Sequence, residues 1–163
     1  MGLRNTLTLD TYVVSTGKTT MVFTRMRAPY VNPDGFRFTV YRKGLFSGIG
    51  KFFGMQDLEV GYPEFDDAFI IKGTDEGRVS QLFANEKLRA LISAQKDIQF
   101  SVKDDEGWFG PKFPEGVDEL SFVVLGIIKD VERLKKLYEL FSETLDELCR
   151  MGSAYRADPG VTV

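Results

Sequence analysis

The chain has 163 residues, a formal net charge of −3, no histidine and one cysteine. That length suits one domain around one core, and the acidic balance argues against a phosphate backbone as partner. The missing histidine removes the commonest general base near neutral pH and the commonest transition-metal ligand, while a lone Cys149 excludes an internal disulfide and a multi-thiolate zinc site.

Hydrophobic residues make up 43% and aromatics 13%, with 14 Phe, which feeds a core that needs neither disulfide nor structural metal. The longest apolar run, Phe122 to Ile128, is strand-sized and interrupted by Gly126, far short of the roughly 18 residues that cross a bilayer.

From Leu9 to Arg42 the chain reads as strands. β-branched and aromatic residues fill Thr11–Ser15, Thr19–Arg27 and Phe36–Arg42, and Gly17-Lys18 and Asn32-Pro33-Asp34-Gly35 punctuate them as hairpin turns. Lys43 to Met55 mixes glycine with large apolar groups and follows no period. Around Tyr62-Pro63-Glu64 an acidic turn is expected, because proline discourages continued pairing, with a strand from Ala68 to Lys72 after it.

Asp75 caps a helix from Glu76, and Asn85 restarts it, so one broken helix or two short ones fit. Ile98, Phe100 and Val102 alternate with polar neighbours, and a long loop leads to a strand over Leu120–Ile128, a late hairpin. The clearest helix runs from an Asp130 cap to Gly152, with Val131, Leu134, Leu137, Tyr138, Phe141, Leu145 and Leu148 on one stripe. Residues 153–163 carry no periodicity and are expected to be a flexible tail after a domain spanning 1–152. The fold expected is α+β: an antiparallel sheet of about six or seven strands, covered by the long C-terminal helix and a central helical segment.

Chemical motifs are sparse. Ser15-Thr16-Gly17-Lys18-Thr19 ends like a phosphate-binding loop but has Tyr12 where the first glycine belongs and a strand after it. Ser93-Ala94-Gln95-Lys96 has the Ser-x-x-Lys spacing of acyl-transfer enzymes without their partner motifs. Glu59, Glu64, Asp66 and Asp67 are dense enough to supply oxygen ligands or an acid pair, yet match no calcium loop, so surface acidity is the simpler reading. Leu45, Phe46, Ile49, Phe52, Phe53 and Met55, flanked by Lys43 and Lys51, make the best candidate interaction patch, for a lipid interface or a protein partner.

The stretch Gln56-Asp57-Leu58-Glu59-Val60-Gly61-Tyr62-Pro63-Glu64-Phe65-Asp66-Asp67-Ala68-Phe69-Ile70-Ile71-Lys72 resembles a family of uncharacterised bacterial proteins, a domain of unknown function, with a similar acidic Pro-Glu-Phe run before a strand and helix. The likeness covers about half the chain. It implies a domain beside a membrane, since members are often membrane-tethered, and it implies no catalytic residue.

These readings lead to a non-catalytic binding or interaction module, cytoplasmic or membrane-associated, with no cofactor and no metal. The partner expected is a protein or a membrane surface, not nucleic acid. A histidine-free carboxylate-dependent enzyme and a self-associating structural domain, a homo-oligomer, are the alternatives.

Overall fold

The structure is a computed structural model, and it describes residues 6–44, 55–105, 112–161 and 163. In chain order its elements are β1 (Thr8–Ser15), β2 (Thr20–Val31), β3 (Phe38–Arg42), β4 (Gln56–Leu58), α1 (Pro63–Ala68), β5 (Phe69–Gly73), α2 (Glu76–Phe83), α3 (Glu86–Ser93), β6 (Gln99–Lys103), β7 (Val117–Leu125) and α4 (Val131–Arg150). The strands form one seven-stranded antiparallel sheet in the order β1-β2-β7-β6-β3-β5-β4, so the architecture is α+β as the patterning requires.

Alternation along each strand decides which face carries the helices. Met26, Ala28 and Tyr30 of β2, Phe38 and Val40 of β3, Phe100 and Val102 of β6, and Leu120, Phe122 and Val124 of β7 form one buried cluster with the apolar stripes of α2, α3 and α4. Aromatic rings bridge the layers: Phe38 meets Phe83 edge-on, and Phe100 meets Phe141 the same way. Burying each such side chain contributes about 1.5 to 3 kcal/mol.

Asp75 caps α2 by accepting from Arg78 N, and Asn85 caps α3 by accepting from Leu88 N. The central segment is therefore two short helices, broken where the second cap intervenes. Asp130 caps α4 through the amides of Glu132 and Arg133.

Two expectations are corrected. Asn32-Pro33-Asp34-Gly35 is not a hairpin turn: β7 and β6 lie between β2 and β3. The four residues do bend the chain, with Gly35 at a φ of 70° and its amide donating to Asn32 Oδ1. But Asn32 Nδ2 donates to Phe36 O and to Asp118 Oδ2 on β7, which fixes the turn to the strand inserted beside β2. The second correction is at Pro63, which opens α1 at its first position, where a missing N–H costs nothing. Gly61, at a φ of 86°, turns the chain into that helix.

Pro29 sits within β2, in register with Glu119. Its ring nitrogen faces the side where β1 has already ended, because β1 pairing stops at Thr8 opposite Arg27. Two residues on, Val31 gives its carbonyl to Tyr155 N. The chain after α4 thus docks on the sheet: Ser153 and Ala154 are buried, the Ser153 hydroxyl donates to Asp34 Oδ2 at 2.8 Å, and Val163 O accepts from the Thr8 hydroxyl at 3.1 Å.

Candidate functional site

A groove of about 760 Å³ lies where α1, α3 and the ends of β3 and β5 meet. Its apolar lining is Phe65, Ala68, Phe69 and Ala90, with Tyr62 and Pro63 at the start of α1. Charge comes from Arg42, Arg89, Glu64 and Glu86.

Both arginines are held in the same way. Arg42, the last residue of β3, donates from Nη2 to the carbonyls of Ser93 and Gln95 at 3.3 and 2.8 Å, while its guanidinium carbon lies 4.6 Å from the centre of the Phe69 ring. Arg89 on α3 donates from Nη1 to Phe83 O at 2.6 Å and stacks 3.5 Å from the centre of the Tyr62 ring. Each guanidinium therefore satisfies carbonyls at a helix C-terminus, α3 for Arg42 and α2 for Arg89, where the helix dipole favours a cation. The rings beneath add cation–π attraction. Arg42 Nε is buried and has no hydrogen-bond partner among the described residues.

The acidic residues separate by role. Asp66 is committed to structure: its oxygens accept from the amides of Val60, Gly61 and Tyr62 at 2.9 to 3.1 Å, tying the loop into α1. Glu64 lines the groove and is exposed, as are Glu59 and Asp67. Among the described residues no group of three or more His, Cys, Asp or Glu side chains could hold a metal ion. Ser93 also lines the groove, whereas Lys96 lies beyond the end of α3 and is exposed.

Of the apolar patch read from the sequence, Leu45, Phe46, Ile49, Phe52 and Phe53 lie outside the described residues; Met55, just before β4, is half-buried. Sequence patterning did not reveal Arg42, Arg89, Tyr62 and Phe69 as one site, because they come from four separate elements. One signal was there to be used: Arg89 falls on the polar side of the α3 stripe formed by Leu88, Leu91 and Ile92, and so on its solvent-facing edge.

The sheet face opposite the helices is a second polar region. A single register row crosses all seven strands through Thr8, Arg27, Ser121, Ser101, Thr39, Lys72 and Asp57, and every member is polar. Arg27, Ser121, Ser101 and Thr39 are buried, and Glu119 on the same face is fully so. Lys72 Nζ meets Asp57 Oδ1 at 3.0 Å across the outer strands. At the other end Arg25 forks onto Asp10 at 2.7 and 2.9 Å, and its hydrogen bond holds the Asp10 carboxyl below the usual carboxylate range.

No protein-family model matches the chain, and neither a curated protein nor a solved structure is significantly similar to it. Among the described residues no helix is long and apolar enough to cross a membrane.

Proposed function

We propose that this chain is a non-catalytic interaction module whose groove between α1 and α3 seats a peptide segment of a partner protein. The observation that carries the reading is the apolar lining of Phe65, Ala68, Phe69 and Ala90 set between two arginines that are already stacked and hydrogen-bonded. Ordering a free arginine costs side-chain entropy on binding, so groups fixed beforehand present their remaining donors at lower cost. The groove carries both signs, Arg42 and Arg89 against Glu64 and Glu86. A segment with an apolar anchor and charges of both signs fits it better than a simple anion does.

Panning a random peptide library against the folded chain tests this. Ala90 is exposed in the groove, so Ala90→Trp fills the site and leaves the core intact. Enriched peptides are expected to bind the wild type and to lose at least about tenfold in affinity on Ala90→Trp, which corresponds to about 1.4 kcal/mol. Failure to enrich any peptide, or equal binding by Ala90→Trp, would overturn the reading.

A further inference from the structure

Among the described residues the sheet has two outer strands, β1 and β4, and they are unlike. β4 has three residues, too few to template another strand, whereas β1 has eight and pairs with β2 without a bulge. Long open edges of this kind are usually blunted by lysine, proline or a bulge. β1 has none of these between Thr8 and Ser15.

The β1–β2 hairpin fixes which backbone groups face outwards. Thr16 N donates to Thr19 O across the two-residue turn, so hydrogen-bonded pairs recur at Val14, Tyr12, Asp10 and Thr8. The N–H and C=O groups of Leu9, Thr11, Val13 and Ser15 therefore point away from β2. On the other flank Gly126 N donates to Val22 O, the alternation this phase requires. The side chains of this outward set lie on the helix-bearing face, where Leu9 is 47% exposed and Val13 61% exposed.

We propose that β1 pairs antiparallel with β1 of a second copy of this chain, with Thr11 facing Thr11 of the partner subunit at the dyad. Four registers keep the outward groups in phase over at least five residue pairs, and side-chain chemistry selects among them; the one centred on Val13 sets Val13 on its own copy and leaves both Leu9 side chains uncovered. Shifting towards the N-terminus places Asp10 against its own copy, in the close non-hydrogen-bonded position where like charges repel. Shifting the other way sets Leu9 against Ser15. The central register puts Leu9 opposite Val13 of the partner subunit, twice by symmetry, so each exposed apolar group covers the other. It also sets Asp10 opposite Tyr12 of the partner subunit. Arg25 already stacks 4.7 Å from the centre of the Tyr12 ring in each copy, so every Asp10 meets a positively charged neighbourhood. A dyad normal to the sheet makes the interface isologous and closed, a dimer and not a fibre.

Sedimentation of the full chain over a concentration series is expected to show a monomer–dimer equilibrium. The double variant Leu9→Lys, Val13→Lys should weaken it at least about tenfold, and Thr11→Pro, which removes an outward donor, should do the same. All three positions are solvent-accessible, so at concentrations where the wild type is monomeric the thermal melts should match it. In a Cys149→Ala background, Thr11→Cys should form an intermolecular disulfide under mild oxidation, since hydrogen-bonded antiparallel pairs place Cα atoms about 5.5 Å apart. Val13→Cys should not. A monomer at every concentration with no Thr11→Cys cross-link overturns the proposal, and so does a dimer that survives both edge variants.

Discussion

Gly73 ends β5 with its backbone pressed against the layer above. A Cβ added there would overlap Val79 Cγ2 on α2 and come within 3.4 Å of Arg37 O. Val79 is fully buried and has nowhere to move, so the α2–β5 approach depends on the absence of one carbon atom. Gly73→Ala is expected to lower stability by about 1 to 3 kcal/mol, the usual cost of overpacking a filled core, read from chemical denaturation at unchanged m-value. A smaller loss would mean that α2 shifts freely over the sheet. Nothing in Phe69-Ile70-Ile71-Lys72-Gly73 announces this, because a glycine after a strand reads equally well as an ordinary turn. Leu82, at helical spacing, and Phe100, in strand alternation, could by contrast be placed in the core from periodicity alone, and the structure buries both completely.

At the scale of elements, legibility followed length and caps. α4, twenty residues with an Asp130 cap, was readable as a helix, and so were α2 and α3 from Asp75 and Asn85, but two members of the α4 stripe, Val131 and Tyr138, are exposed, and Leu140 is buried beside Leu137 and Phe141. α1 was not: six residues give about 1.7 turns, too short for a periodic signal, and only its first-position proline marks it. The groove depends on that helix, so the site was hidden with it. Asn85 shows how much one cap can connect. Its oxygen accepts from Leu88 N, while Nδ2 donates to Glu143 Oε1 and Glu147 Oε2 at 2.8 and 3.0 Å, joining α3 to α4. That hydrogen bond is the largest reason the Glu143 carboxyl titrates below its ordinary range, helped by Lys87 and Arg150. Asn85→Asp keeps an N-cap acceptor but turns a donor into a third carboxylate. Stability at neutral pH should fall by about 1 to 3 kcal/mol, the cost of unpaired polar groups in a partly buried site. The gap from wild type should narrow as acid protonates the cluster. A gap that stays constant from neutral to acid pH would show that the cap alone matters.

The molecule as a whole combines a local pattern that could be read with a strand order that could not. The β1–β2 and β6–β7 hairpins are neighbours in sequence and in the sheet, but β7 inserts next to β2 and pushes β3 two strands away. Side-chain alternation is the same in either order, so only long-range contacts such as Asn32 to Asp118 distinguish them. That arrangement also encloses Tyr30. Fully buried, its hydroxyl has no hydrogen-bond partner among the described residues, and burial pushes its ionisation well above the ordinary phenol range, with the nearby Asp118 adding to the shift. The linkage sign follows directly: a group that binds its proton more tightly when folded contributes stability below its unfolded pKa of about 10, and loses it as pH rises through the folded value. Asp10 and Glu143 bind their protons less tightly when folded, so their contribution is present above the ordinary carboxylate range and disappears as pH falls through their lowered values. Stability should thus form a plateau bounded by these acids below and Tyr30 above. Tyr30→Phe removes a buried group whose desolvation no hydrogen bond offsets, at the loss of little packing. Melting at neutral pH should be unchanged or raised by up to about 1 kcal/mol equivalent, and the alkaline limb should move to higher pH. A loss greater than about 1 kcal/mol would show instead that the hydroxyl contributes a net favourable interaction. The acid limb should not move, because neither Arg25 on Asp10 nor Asn85 on Glu143 involves the phenol.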